Sequence, residues 1–255
     1  MDITSFLQSK WRSRRAIVSL LQNHAIQKNN ELISYRKEPL TTDDTVTIDD
    51  HGTPVTYTVT SDDETYDIIL FNKPVGCVVS KDDEHNQTIY ELLPEWWKEK
   101  YTYIGRLDKD SHGLLVLTNA LKLVSFFSHP RYNHEKVYHI QTDRNISEED
   151  IQKWCDGVLY YDNDTREDIR LSWTSCVWDK VAKCYEIRIG EWKKRHIRRL
   201  CQSLWYSVTD LKRVQFWPWS LGDIAVWEWQ IISSLSAWDL ESLLANWNSY
   251  TQTQI

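Results

Sequence analysis

Residues Tyr103 to Asn119 read YIGRLDKDSHGLLVLTN, and the chain is organised around them. An apolar, strand-like entry (Tyr103, Ile104) runs into the polar segment Gly105-Arg106-Leu107-Asp108-Lys109-Asp110-Ser111-His112-Gly113, and a second apolar run, Leu114 to Leu117, follows it. Two strands around a charged loop with glycine at each end present a side chain on a rigid support, because glycine permits backbone angles and close approaches that a Cβ blocks. Arg106, Asp108, Lys109 and Asp110 place charges of both signs within five residues, so a neighbouring cation can hold one of these carboxylates.

The totals bound what surrounds this stretch. A chain of 255 residues makes one large domain, or a small one followed by a medium one. Its formal charge of -7 excludes a surface that is basic throughout, so any RNA site must be local. Cys77, Cys155, Cys176, Cys184 and Cys201 are scattered, without a C-x-x-C pair; this fits a reducing cytoplasm and argues against structural zinc. The opening MDITSFLQSK has no apolar signal-type core, and no run of 18 apolar residues occurs, so neither a signal peptide nor a membrane span is expected.

GRLDKDSHGLLVLTN resembles the central motif of the pseudouridine synthases, in the branch that acts on ribosomal RNA and carries an S4 domain in front. The resemblance implies an α+β protein. A small S4-like RNA-binding domain with its linker would occupy 1–60, and a mixed, mainly antiparallel-sheet catalytic domain 61–255. It also implies that Asp108 is the catalytic residue and that no metal or redox cofactor is needed.

Other segments match the same pattern in order. Ser13 to Gln22 reads as a helix with a serine cap and Ile17, Leu20 and Leu21 on one face, and Lys10, Arg12, Arg14 and Arg15 cluster at its start. A strand-like segment (25–33) and a strand at Thr45 to Ile48 follow, in the order of an S4 domain. Residues 50–65 read as a linker or connecting hairpin, with a boundary near 60. A strand from Asp67 to Phe71 ends in Asn72-Lys73-Pro74-Val75-Gly76, similar to the family's first motif, with Lys73 at the turn. Short helices are expected at Thr88 to Leu93, ended by Pro94, and at Ala120 to Ser128, ended by Pro130. Glu135 to Ile140 alternates as a strand and resembles the E-K-x-Y element, whose tyrosine, here Tyr138, packs against the target base. Ser147 to Cys155 is a helix with an S-x-x-D cap. Strands follow at Arg170 to Val177 and Cys184 to Ile189.

Lys193, Lys194, Arg195, Arg198 and Arg199, with His196, fall within seven residues at the start of a helix, a local cluster able to neutralise phosphates. It resembles a third motif, in which an arginine (Arg198) pairs with the catalytic aspartate and the aliphatic residue before it (Ile197) packs beside the base. Lys194 and His196 replace that motif's usual Asn and Gln. A strand at Leu211 to Phe216, a closing S-L-G-D…W-E-W segment and a C-terminal helix (236–247) complete the pattern.

Composition adds an anomaly: 14 Trp stand beside 7 Gly, where ordinary usage predicts roughly 18 Gly. Trp192 occupies the Gly of the E-G turn, Trp205 the position just past the basic helix, and Trp227 the Gly of G-E-W; Trp217 precedes Pro218, and Trp11 precedes the first basic helix. Reading UGA codons as Trp where the organism reads Gly would produce this pattern.

The expected activity is isomerisation of a specific uridine in ribosomal RNA, of the large subunit by motif wording, to pseudouridine. Asp108 would act near C1′ as nucleophile, or stabilise and deprotonate a glycal. The uridine is flipped between Tyr138 and Ile197, Arg198 orients Asp108, and Arg106 fills the gap left in the RNA. Lys73 is counted among the substrate-binding residues, and Lys10, Arg12, Arg14, Arg15, Lys193, Lys194, Arg195 and Arg199 among the phosphate contacts. The partner is ribosomal RNA or a pre-ribosomal particle, and the protein a monomer. The alternatives are a small-subunit target, a non-catalytic assembly factor that keeps the fold, and an aspartate-based hydrolase with Asp110 as second carboxylate.

Overall fold

The computed structural model describes residues 2–10, 14–50, 52–60, 65–129, 132–162, 166–190, 193–235 and 239–245. Trp11, Arg12, Ser13, Pro130, Glu191 and Trp192 lie outside the described residues, as do residues 236–238, 246 and 247 of the expected C-terminal helix and the side chain of Arg14.

The N-terminal unit packs helices α1 (Ile3–Ser9) and α2 (Arg14–Gln22) on a four-stranded antiparallel sheet. Its strands are β1 (Ile26–Lys28), β2 (Glu31–Leu32), β3 (Thr45–Asp50) and β4 (Thr53–Thr58), in the order β2-β1-β3-β4. Ile3, Phe6 and Leu7 of α1 and Ile17, Leu20 and Leu21 of α2 bury one face of each helix against Ile26, Val46 and Ile48. Helix α1 was not expected from the sequence. Residues 50–65, left open as linker or hairpin, supply β4, which pairs with β3 from Thr45↔Thr58 to Asp50↔Thr53. Val59 still belongs to this core, and the next strand begins at Tyr66.

The larger unit is built on β5 (Tyr66–Lys73), α3 (Trp97–Lys100), β6 (Thr102–Ile104), β7 (His112–Thr118), α4 (Leu121–Ser128), β8 (Lys136–Thr142), α5 (Glu148–Asp156), β9 (Val158–Asp162), β10 (Glu167–Leu171), β11 (Ser175–Asp179), β12 (Cys184–Ile189), α6 (His196–Ser203), β13 (Val208–Phe216), β14 (Trp219–Ser220) and β15 (Trp229–Leu235). A nine-stranded sheet runs β11-β12-β8-β13-β7-β5-β15, with β6 on β7 and β14 on β13; β9 and β10 form a separate hairpin. Every pairing in the large sheet is antiparallel except β13 with β7. The expected mixed, mainly antiparallel architecture is what the chain adopts.

The central strands are continuous apolar runs because both their faces are covered. Ile69 and Phe71 of β5, with Leu115 and Leu117 of β7, enter a core shared with Tyr138 and with Ile197 and Leu200 of α6. Ile68 and Leu70, with Leu114 and Val116, enter the opposite core under α4, where Leu240 from a helix at 239–245 also packs. Two local expectations need correction. The helix at Thr88 to Leu93 is a single 3-10 turn (Ile89–Glu91), held where Glu91 Oε1 accepts from the Thr88 amide at 2.9 Å and hydroxyl at 3.0 Å. The strand at Arg170 to Val177 is two strands in two sheets, β10 and β11, because consecutive pairing is broken at Ser172–Thr174, where Trp173 turns into the core. No helix among the described residues is long and apolar enough to cross a membrane.

Candidate active site

Asp108 lies on the loop from β6 to β7, and its side chain keeps 27 % of its surface exposed. The loop is fastened from below. Lys73, at the end of β5, has no exposed surface, and its ammonium donates to the carbonyls of Pro74 at 2.8 Å, Ser111 at 2.8 Å and Asp108 at 3.3 Å. The Gly76 amide donates to Lys109 O at 2.8 Å, and the Ser111 amide to Asp108 O at 3.1 Å. Burial lowers the Lys73 pKa, against the pull of the Cys77, Asp108 and Asp110 charges. Lys73 was expected among the substrate-binding residues; fully buried on three backbone carbonyls, it instead fixes the turn under Asp108.

Gly113 explains the second glycine of the loop. With φ +99, it lies where an added Cβ would stand 2.3 Å from Arg213 O. Only a residue without a side chain lets β7 run this close beside β13, and the parallel register Arg213↔Gly113 follows. That approach brings Arg213 into the site. Arg213 is 1 % exposed and its Nε donates to Leu114 O at 2.7 Å. It faces Tyr138 across the β8–β13 register.

Tyr138 is fully buried, and its hydroxyl is pushed up to about 12 by burial and by Asp108, while the charge and hydrogen bond of Arg213 act the other way. Tyr138 therefore lies within electrostatic reach of Asp108 and beside Arg213. The sequence pattern marks Arg213 only as part of a strand. The signal was available: Leu211 and Arg213 share strand parity, so a cation stands in an inward position after a core leucine.

The arginines of α6 are arranged differently from the expectation. Arg198 does not reach Asp108: its Nη1 donates to Val208 O at 3.0 Å, its Nη2 to Asp110 O at 2.6 Å, and its Nε lies 3.2 Å from Asp110 Oδ2. The cation beside Asp108 is Arg195, whose Nη1 is 3.9 Å from Asp108 Oδ2. Arg195 caps α6 in the left-handed region, φ +52, and turns its guanidinium onto Asp110 with bonds of 3.1 and 2.9 Å. One turn separates Arg195 from Arg198; both reach Asp110, and the left-handed cap brings Arg195 beside Asp108. Burial raises the Asp110 pKa, but the Arg195 hydrogen bonds and the Arg198 charge outweigh it, and the net shift is downward. A carboxylate so held is no proton donor, which removes the support for a two-carboxylate hydrolase.

The rest of the basic cluster is only partly available to phosphate. Arg199 makes a two-bond pair with buried Asp162 at 2.8 and 3.0 Å, and Lys193 donates to Arg170 O at 2.6 Å. Arg199 is therefore corrected from an RNA contact to a clamp between α6 and β9. Lys194 and Arg106 are exposed. Ile197 is 1 % exposed and packs in the core shared with Tyr138. In the N-terminal unit Arg15 is exposed, and the Lys10 ammonium lies 5.3 Å from the centre of the Phe6 ring. Among the described residues no group of three or more His, Cys, Asp or Glu is placed to hold a metal.

Comparison with known proteins places the sequence in a family. The profile of the RNA pseudouridylate synthases fits residues 67–203. The dual-specificity RNA pseudouridine synthase RluF of Escherichia coli K12 is 32 % identical over 183 residues, 71 % of this chain and 60 % of that protein. This chain thus matches well under two thirds of RluF's length. The ribosomal large subunit pseudouridine synthase E of Xanthomonas campestris is 31 % identical over 177 residues, covering 64 % of this chain and 94 % of that protein. A crystal structure of a pseudouridylate synthase superposes with a TM-score of 0.59 at 20 % identity, covering 91 % of this chain and 96 % of its own, a likeness of fold. The profile spans the Asp108 loop, Tyr138 and the start of α6 together, and the chain belongs to the RNA pseudouridylate synthase family.

Proposed function

We propose that this protein isomerises a uridine of ribosomal RNA, in the large subunit, to pseudouridine. The observation that carries the reading is Asp108 on a loop locked by Lys73, partly exposed and within electrostatic reach of Tyr138, which Arg213 faces across the sheet. The family membership gives that arrangement its chemistry, and the relatives' names, which specify large-subunit or dual specificity, supply the substrate class.

In this reading Asp108 acts at C1′ of the flipped nucleotide, as nucleophile or as the base that deprotonates a glycal. Tyr138 and Ile197 form the apolar wall for the base, and the hydroxyl of Tyr138, kept protonated, remains a hydrogen-bond donor across the neutral range. Arg195 supplies the positive field beside Asp108, the part expected of Arg198. Exposed Arg106, two residues from Asp108, fills the stack that the uridine leaves. Lys194, in the turn before α6, contacts phosphate, and the N-terminal unit, in the manner of an S4 domain, adds Lys10, Arg12, Arg14 and Arg15.

The test is to map pseudouridine in ribosomal RNA from cells with and without the gene, and with Asp108→Asn in its place. One large-subunit pseudouridine is expected to vanish in both the deletion and the Asp108→Asn strain. An unchanged map in the deletion strain, with RNA binding intact, would instead favour a non-catalytic assembly factor; loss of a small-subunit site would move the target.

A further inference from the structure

Asp110 is the side chain that ties the catalytic loop to α6. Its carboxylate takes both bonds of the Arg195 fork and lies 3.2 Å from Arg198 Nε, and its carbonyl accepts from Arg198 Nη2 at 2.6 Å. A carboxylate that must attack C1′ or remove a proton needs an unoccupied lone pair. A guanidinium fork closed on Asp108 would take a lone pair on each of its oxygens and lower its basicity. Here the fork closes on Asp110, and Arg195 stands off from Asp108 at 3.9 Å. We propose that Asp110 is a positioning residue that diverts the arginines of α6 to itself, so that Asp108 keeps a cation nearby and an oxygen free to react.

This proposal rests on the isomerase reading, and its test separates the two. Single-turnover pseudouridine formation and RNA affinity are measured on an unmodified ribosomal RNA transcript for the unmutated protein, Asp110→Asn and Asp110→Glu. Amide exchange over 195–199 is measured without RNA for the same proteins and Asp108→Asn. Asp110→Asn is expected to lower the rate at saturating RNA about ten-fold while the RNA dissociation constant stays within about two-fold. Asp110→Glu, which keeps the charge, recovers most of the rate. Exchange at 195–199 rises in Asp110→Asn and not in Asp108→Asn. An unchanged rate in Asp110→Asn overturns the proposal, and so does unchanged exchange. If the unmutated protein makes no pseudouridine, the isomerase reading falls, and the exchange comparison still decides whether Asp110 holds the arginines.

Two tryptophans carry a second, independent inference. Trp205 follows α6 with φ +64 and is 86 % exposed. Its amide donates to Gln202 O at 3.0 Å and the Tyr206 amide to Cys201 O at 3.0 Å, the paired bonds of a Schellman end, whose left-handed residue is ordinarily glycine. Trp227, φ +76 and 54 % exposed, is the third residue of a turn closed by Glu228 N to Ala225 O at 3.0 Å; that angle is the glycine position of a type II turn. Neither φ suits a bulky residue.

Other tryptophans behave as tryptophans. Trp154 is fully buried, Trp229 lies 4.6 Å from the Trp97 ring, and Trp217 stacks at 6° on His134. We infer that positions 205 and 227 are glycine in the protein the cell makes, encoded by UGA codons that its ribosomes read as glycine. The gene should carry UGA at both positions; UGG at either overturns the inference. In the purified chain as written, Trp205→Gly and Trp227→Gly should each raise the thermal midpoint by about 2–4 °C, whereas Trp154→Gly lowers it. A lower midpoint in both of the first two variants overturns the inference as well.

Discussion

Lys73 shows how one buried cation defines a loop: each of its ammonium protons meets a carbonyl, and two of those carbonyls belong to the Asp108 loop. Lys73→Met leaves those carbonyls without their donor. Urea unfolding should show a loss of about 2–4 kcal/mol, and turnover should fall even at temperatures where the variant is folded. His134 titrates in a window that can be stated. Its ring is buried among Phe126, Phe127 and Trp217, and burial drives its pKa down to about 4, against the weaker upward pull of the bond to Phe126 O. The unfolded residue takes a proton near pH 6.5. Between these values the unfolded chain binds more protons, so the contribution is complete above about pH 6.5 and is lost as pH falls toward 4, about 3 kcal/mol in all. Thermal midpoints measured from pH 7 to pH 4.5 should fall less steeply in His134→Phe. At this scale Asp108 and its two glycines were legible in sequence, because a charged loop between apolar runs declares itself. The pairing of Arg195 with Asp110 was not, since a left-handed backbone angle sets it and spacing cannot reveal that angle.

Among the elements, α5 is the clearest case of a sequence signal realised in three dimensions. Ser147 Oγ accepts from the Asp150 amide at 3.1 Å, and Glu148, Glu149 and Asp150 place negative charge in the first turn. Ser147→Ala should cost about 1 kcal/mol in chemical denaturation, with little effect on RNA affinity. Strands β5, β7, β8, β12 and β13 were readable because their apolar runs or alternation extend over several residues. Helix α1 escaped because its three core residues, Ile3, Phe6 and Leu7, make a single repeat, too short to establish a period. The break between β10 and β11 escaped for the opposite reason: Leu171 and Trp173 continue the strand alternation in sequence, and only the competition of two sheets for their backbones separates them.

Across the whole molecule, an acidic chain with the proposed function has few cations to offer RNA, and the pairing of Arg195, Arg198 and Arg199 with Asp110 and Asp162 leaves fewer. The salt dependence of RNA binding should therefore be shallow. Lys194→Ala should flatten the slope of log affinity against log salt by about 0.7–0.9, the value of one phosphate contact; an unchanged slope would place the RNA elsewhere. The topology has a consequence in time. Among the described residues, strand β13 sits between β8 and β7 and alone joins β11-β12-β8 to β7-β5-β15. A nascent chain emerging from the ribosome carries the Asp108 loop and Tyr138 on two half-sheets with nothing between them until residues 208–216 arrive. Tyr138 and Asp108 therefore meet only once β13 has taken its place between the two half-sheets. The proposed site is thus completed by a strand that follows both of its halves in the chain.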